Sequence, residues 1–359
     1  MQTIVFTGGG TGGHIYPGLA VASHLQKAGA IRVVWLGANT GMDSAIVEKA
    51  GVEFFGIPSG KLRRYVSAKN IADAFRVGAG FFAAQAILRK LKPALLFSKG
   101  GFVSVPPCAA AYSLGIPVFT HESDFSPGLA TKINTRFAQK IFIAYHETAS
   151  FFPPKARERL IVSGNPVRAA FRDADSAAGR AFLGLGNDER ILLALGASQG
   201  ARQINELVRD TLDELTKRYT VVHQVGPATD WTLAKTETYR PYPFFHDEMP
   251  HVLAAAELVL CRSGAGTVWE CATAGHPMIL IPLSGSATRG DQVENARVFE
   301  RAGAALSLAD LAATPDALVH AVADIADNDE KRRSMAAAST RLGQGDAARL
   351  IAKTILEAL

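Results

Sequence analysis

Val5 to Gly18 reads VFTGGGTGGHIYPG, with glycine at five of the six positions from Gly8 to Gly13 and a histidine, His14, directly after them. Glycine at that density costs backbone entropy, so bare backbone is needed there. An apolar run precedes the glycines and a helical pattern follows. In that context, amide groups at a helix N-terminus can hold a phosphate. Gly8, Gly10 and Gly13 also fit GxGxxG, the dinucleotide pattern. A nicotinamide-binding unit carries an acid at the tip of its next strand, whereas here that strand ends VVWLGANTG, without one. A tight turn for helix–strand packing would explain one or two glycines, not five.

The same strand–turn–helix rhythm runs along the chain. TIVFTG, RVVWLG, ALLFSKG, IPVFTH, KIFIAY and RLIVSG read as buried parallel strands in the first half. ILLALG, TVVHQVG, LVLCRSG, PMILIPL and AALSL do so in the second. Strands alternating with helical segments predict βαβ units and right-handed crossovers. The halves also echo each other. LLFSKGGFVSVPPCAAAYSLGIPVFTHESD and LVLCRSGAGTVWECATAGHPMILIPLSGSA each read strand, glycine turn, helix, Gly-X-Pro, strand, polar loop. The expected architecture is α/β, with two doubly wound Rossmann-like domains facing a deep cleft. SGNPVRAAF, Ser163 to Phe171, marks the boundary. The expected first domain is 1–164, joined by a C-terminal helix at 343–359, and the second is 165–342.

Composition narrows the class. The chain has 359 residues, 48% hydrophobic and 20% charged, which suits about two globular domains. A net charge of +5 does not demand nucleic acid, but it fits an anionic ligand or membrane surface. Cys108, Cys261 and Cys271 form no CxxC, so neither a disulfide framework nor a zinc knuckle is expected, and the compartment reads as reducing cytoplasm. The N-terminus leads straight into a strand with no signal-peptide pattern. The uncharged run from Gly100 to Thr120 holds Pro106, Pro107, Gly115 and Pro117, so it reads as loop, helix and strand rather than a membrane span. Asp173 to Asp175 (DAD) lies in a polar linker and reads as a solvated turn. No metal-ligand spacing appears.

Three further glycine turns follow strands: SKGGF at Ser98–Phe102, GASQGA at Gly196–Ala201 and RSGAGT at Arg262–Thr267. Ligands of doubly wound sheets sit outside the carboxyl ends of the strands. These turns are therefore expected to serve phosphorylated ligands, two of them by count. GASQG also fits the GxSxG nucleophile elbow, with Ser198, Asp247 and His276 in triad order. A hydrolase would leave the N-terminal glycines without a job.

Taken together, GGGTGGHIYPGLAVA, SKGGFVSVP, HESDFSPGLATK, GNPVR, GASQGARQIN, CRSGAGTVWE and GDQVENA resemble the MurG family, the N-acetylglucosaminyltransferases that make lipid II for peptidoglycan. The likeness covers nearly the whole chain, in order. It implies a GT-B fold, UDP-N-acetylglucosamine on the C-terminal domain and lipid I on the N-terminal domain. It also implies inverting transfer to the muramyl 4-hydroxyl, with no cofactor and no obligatory metal. By this likeness Glu270 accepts from the ribose hydroxyls, and Arg168 and Ser198 contact the donor. Gln292 reads the sugar hydroxyls with support from Asn295. Phe245 and His246 close over uracil, with His246 acting by its backbone. Ala265, Gly266, Thr267, Val268 and Trp269 complete the donor helix. Thr11, Gly12, Gly13 and His14 cradle the acceptor diphosphate near the donor sugar, Thr11, Gly12 and Gly13 also contacting the donor, with Gly100, Gly101 and Phe102 beside them. The base for the attacking hydroxyl is His14, Glu122 or Asp124. Asp124 stands where many members carry Asn, Phe102 where Tyr is common, and His246 where an aliphatic residue is usual.

KNIADAFRVGAGFFAAQAILRKLK resembles an interfacial helix pair, with Phe81 and Phe82 in its apolar run and Lys69, Arg76, Arg89 and Lys90 on a basic rim. The resemblance thus implies a peripheral protein on the cytoplasmic face of the cell membrane, seated on anionic lipid. It also puts cell-wall synthesis and division proteins among its partners. The rival enzyme is another UDP-sugar transferase with a lipid acceptor, such as a diacylglycerol glucosyltransferase. A UDP-sugar epimerase or a non-catalytic UDP-sugar-binding module would belong to a different class.

Overall fold

A computed structural model describes residues 1–60, 69–196, 200–227, 231–285 and 289–359. The chain divides into two units, Met1–Arg168 with Asp346–Leu359, and Ala169–Gly345.

The first unit is built on β1 (Gln2–Thr7), β2 (Ile31–Ala38), β3 (Glu53–Ile57), β4 (Leu95–Ser98), β5 (Val118–Glu122), β6 (Lys140–Ile143) and β7 (Leu160–Val162). They form one parallel sheet in the order β3-β2-β1-β4-β5-β6-β7. Alternate residues of each strand feed opposite faces, so both faces are apolar. Ile4, Phe6, Trp35, Phe97 and Phe142 pack against Ile15, Leu19 and Leu25 of helix Gly12–Lys27. Ile351 and Ile355 of the C-terminal helix Ala347–Leu356 join that cluster. Val5, Val34, Leu96 and Ile141 pack on the other face, with Ala84 and Leu88 of helix Lys69–Leu91 and Cys108 of helix Val105–Ser113.

The second unit repeats the plan with β8 (Ile191–Leu195), β9 (Thr220–Gln224), β10 (Tyr239–Tyr242), β11 (Leu258–Cys261), β12 (Met278–Leu280) and β13 (Ala305–Ser307). The order is β10-β9-β8-β11-β12-β13, all parallel. Leu192, Val221, Leu260 and Ile279 pack against Ile204, Val208, Val322 and Ile325. In each unit the order reverses between the first and fourth strands, the switch point where such sheets bind ligands. β1 and β4 correspond to β8 and β11, and the four glycine turns of the sequence follow these four strands.

Candidate active site

In the first unit, the turn after β1 enters helix Gly12–Lys27. Thr11 is the N-cap residue, no side chain caps the helix, and its first turn holds no acid. The helix's own first turn therefore sets no acid against the positive end of its dipole. The loop is clamped from β2: Trp35 Nε1 donates to the Gly8 carbonyl at 3.0 Å. Asp43, 1% exposed, accepts from the Gly10 amide at 3.0 Å and the Ala38 amide at 3.1 Å. An acid does follow the second strand after all, five residues beyond its end, and it braces the glycine loop. A Cβ on Gly9 would lie 1.9 Å from Asp43 Oδ2, so this glycine is required by the brace.

The turn after β4 packs directly on that loop. Gly101 has φ +77°, and a Cβ there would meet the Gly9 carbonyl at 2.7 Å and the His14 ring at 3.0 Å. The half-buried His14 thus lies against the second glycine turn, and the Phe102 ring lies against Gly10. Arg168 sets its guanidinium 4.7 Å from the centre of the Tyr16 ring, on the same helix as His14.

Under these turns lies a buried polar chain. Lys99, 1% exposed, donates from Nζ to Ser123 Oγ at 2.5 Å, and Ser123 donates to Asn165 Oδ1 at 2.6 Å. Burial lowers the Lys99 pKa to about 8, against the opposing pull of Glu122 and Asp124. The neighbouring His121 is held well below the usual imidazole range by burial, and also by the Lys99 charge. Glu122, 5% exposed, accepts from the amide of Asp124 at 3.1 Å and that of Gly128 at 3.0 Å, one bond to each carboxylate oxygen. Of the three base candidates, Glu122 therefore acts as the brace of its own turn, while His14 and Asp124 are half-buried.

In the second unit, the turn after β11 leads into helix Ala265–Ala274. Gly264 is its N-cap residue, with no side-chain cap and no acid in the first turn. Thr267, Gly266 and Glu270 are half-buried. Val268 and Trp269 turn into the core, Trp269 edge-on to Phe299 at 5.9 Å, so only their backbone can meet a ligand. The turn is fastened to helix Asp291–Arg301: Asn295 Nδ2 donates to the Ser263 carbonyl at 3.1 Å, and Ser263 Oγ donates to the Gln292 carbonyl at 2.8 Å. Gln292 Oε1 accepts from the Leu283 amide at 2.9 Å. Phe245 is buried beside Tyr242, ring centres 4.8 Å apart. The exposed His246 donates its amide to Glu248 Oε2 at 3.1 Å. Ser198 lies outside the described residues. His276 lies at the N-terminal end of β12, whereas Gly196 follows the C-terminal end of β8, which separates the two ends of the proposed hydrolase triad. Asp175 caps helix Ser176–Leu183 through the Ala177 amide at 2.8 Å.

The segment expected as a helix pair is one helix, Lys69–Leu91. Its Gly78 and Gly80 do not break it, because Ala84 and Leu88 on the same helix are anchored in the core. Phe75 and Phe82 are 76% and 68% exposed, Arg89 and Lys90 are exposed, and Phe81 is half-buried. Arg76 stands 3.4 Å from Asp73. Among the described residues, no helix is long and apolar enough to cross a membrane.

The glycosyltransferase family 28 N-terminal domain matches residues 4–143, and the family's C-terminal domain matches 191–355. This chain belongs to glycosyltransferase family 28. Among family 28 relatives, the UDP-N-acetylglucosamine–N-acetylmuramyl-(pentapeptide) pyrophosphoryl-undecaprenol N-acetylglucosamine transferase of Treponema denticola is 46% identical, over 98% of this chain and 96% of the relative. A Bacillus cereus transferase of the same name is 43% identical, over 92% and 93%. The crystal structure of Acinetobacter baumannii MurG superposes with a TM-score of 0.75 at 25% identity, covering 99% of this chain and all of that one. The two Rossmann-like units are thus those of a GT-B glycosyltransferase. Within this family 28 chain, sequence reasoning passed over Asp43 and Lys99, which brace and underlie the glycine turns of the candidate site.

Proposed function

We propose that this chain transfers N-acetylglucosamine from UDP-N-acetylglucosamine to the muramyl 4-hydroxyl of lipid I, giving lipid II. The near-full-length likeness to the Treponema denticola transferase carries this reading. The local geometry supports it: each unit offers a glycine turn and an uncapped helix N-terminus at the switch point of its sheet, one for each diphosphate. The second unit holds the donor, with its diphosphate at the start of helix Ala265–Ala274, the ribose on Glu270 and the sugar near Gln292. Uracil sits by Phe245, where it meets the His246 carbonyl or displaces Glu248 from the His246 amide. Ser198 and Arg168 belong to this donor set by resemblance. The first unit holds the acceptor diphosphate over Thr11, Gly12 and Gly13, beside Gly100, Gly101 and Phe102.

In the reaction, the acceptor oxygen attacks the anomeric carbon as the carbon–oxygen bond to UDP breaks, which inverts the centre. The hydroxyl proton passes to a base. His14 is assigned that role, since an imidazole titrates near neutral pH and its ring is held against Gly101 at the acceptor loop. The protein works as a peripheral one, its exposed Phe75 and Phe82 in the interfacial layer and Arg89 and Lys90 on anionic headgroups at the cytoplasmic face. Purified protein given UDP-N-acetylglucosamine and a lipid I analogue should release UDP only when both are present. UDP release with water alone, or with diacylglycerol in place of lipid I, would overturn this assignment.

A further inference from the structure

Lys99 has no place in the steps above, yet among the described residues it is the most thoroughly buried cation of the first unit. Burying an ammonium is costly unless charge and hydrogen bonds compensate it, and an apolar side chain of similar length would fill the same space more cheaply. Its backbone amide is fixed to the Thr7 carbonyl at 2.8 Å, so the residue sits between the ends of β1 and β4, beneath both glycine turns. Its side chain runs to the turn after β5, where it meets Ser123. Lys99 and Glu122 are too buried to touch a ligand, and Glu122 is engaged by the Asp124 and Gly128 amides. Asp124, at the tip of the same turn, is the half-buried carboxylate within the electrostatic reach of Lys99. The other titratable neighbour, His121, is buried and bonded through Nε2 to the Gly164 carbonyl at 2.9 Å.

We infer that Lys99 is a positioning residue: its ammonium, tied through Ser123 to Asn165, holds the Ser123–Asp124 turn so that Asp124 stands as an ionised acceptor for a sugar hydroxyl of the transfer reaction. This rests on the transferase reading above. The Asn common at this position in the family can donate as well as accept, whereas an ionised Asp accepts only. A neighbouring cation favours the ionised form of a carboxylate, and Lys99 is such a neighbour of Asp124.

The test compares Lys99→Met, Ser123→Ala, Asp124→Asn and the double variant Lys99→Met/Asp124→Asn with the wild type. Lys99→Met should lower kcat about 10²-fold, as misplacement of a reacting group does, with donor affinity by calorimetry unchanged. The same substitution made on Asp124→Asn should cost little more, because Lys99 acts through Asp124. Ser123→Ala cuts the tether and leaves the charge, so kcat should fall while folding is retained. Independently of turnover, the ¹³C carboxyl resonance of Asp124, identified by its loss in Asp124→Asn, should titrate at higher pH in Lys99→Met. Additive losses in the double variant, or an unmoved Asp124 titration, would overturn the inference. A wild type that transfers no sugar would sink the transferase reading, while the carboxyl titration would still judge Lys99.

Discussion

Asp43 brings a charge into the interior to hold backbone. Its carboxylate fastens the Gly10 and Ala38 amides, and Trp35 fastens the Gly8 carbonyl, so the glycine loop is set before any ligand arrives. Asp43→Ala strips the buried acceptor from two amides, and it should destabilise the chain by about 2–4 kcal/mol in urea unfolding. Asp43→Asn, which keeps one acceptor oxygen, should cost less. Equal stability in all three proteins would mean that the loop holds itself. The base role proposed for His14 can be tested directly. His14→Ala should cut turnover by about 10²–10⁴-fold, with donor affinity and thermal stability kept, and the acidic limb of the rate profile should disappear with the imidazole. If that limb survives in His14→Ala and vanishes in Asp124→Asn, the proton goes to Asp124 instead. His14 stands out in the sequence because five glycines precede it, and the fold sets its ring against Gly101. Asp43 was not, because a lone aspartate in ANTGMDSA looks like turn chemistry until the fold brings it back to Gly10. Lys99 was hidden for a similar reason, since a lysine before two glycines reads as surface until β5 covers it.

At the scale of elements, the strands that the sequence pattern found are the continuous apolar runs, and the two it missed are both edges. β3 (EFFGI) and β10 (YRPY) each close one side of a sheet, and most of their residues are only half-buried, so neither shows the run expected of a strand covered on both faces. Pro241 in β10 argues against a strand by propensity and is tolerated at an edge. The segment expected as a helix pair shows the opposite error, for it is one continuous helix, Lys69–Leu91. On that helix Phe75, Phe82 and Arg89 recur every seven residues and so share one stripe, while the buried Ala84 and Leu88 lie on the other side. The stripe is an amphipathic face with aromatic and basic groups on it. Replacing Arg89 and Lys90 with Gln should weaken binding to anionic vesicles about tenfold or more at low salt, and Phe82→Ser should weaken it further. Turnover of a water-soluble acceptor should persist. Vesicle affinity that ignores both the substitutions and the salt would mean that the membrane is met elsewhere.

For the molecule as a whole, the buried histidines set how it meets acid. His121 in the first unit and His223 and His276 in the second are held neutral, chiefly by burial, with His223 lowered to about 3 and His276 to about 4. An unfolded histidine takes its proton near pH 6.5, whereas these folded ones do not, so below that pH the unfolded chain binds more protons and stability falls. The loss for His276 runs from about pH 6.5 down to about 4, and for His223 down to about 3. Each should cost about 2 kcal/mol by pH 5 relative to neutral pH, at 1.36 kcal/mol per pH unit. Lys99 works in another window: its ammonium is disfavoured in the fold, so stability should rise between about pH 8 and 10.5 as the unfolded lysine keeps its proton longer. The second unit carries two of the three histidines, so acid should weaken it more than the first. Carboxylates also contribute to acid unfolding, which makes the comparison with variants decisive. His276→Gln removes one titrating site, so whatever it does to stability at pH 7.5, its loss between pH 7.5 and 5 should be smaller than the wild type's by about 2 kcal/mol in urea titrations. His223→Gln breaks the ring's contacts with Tyr239 and Asn205, at 3.1 and 3.2 Å, and should lower stability at neutral pH while flattening the pH dependence in the same way. If both variants keep the wild-type slope, His223 and His276 are protonated in the folded chain, and acid unfolding belongs to His121 and the carboxylates.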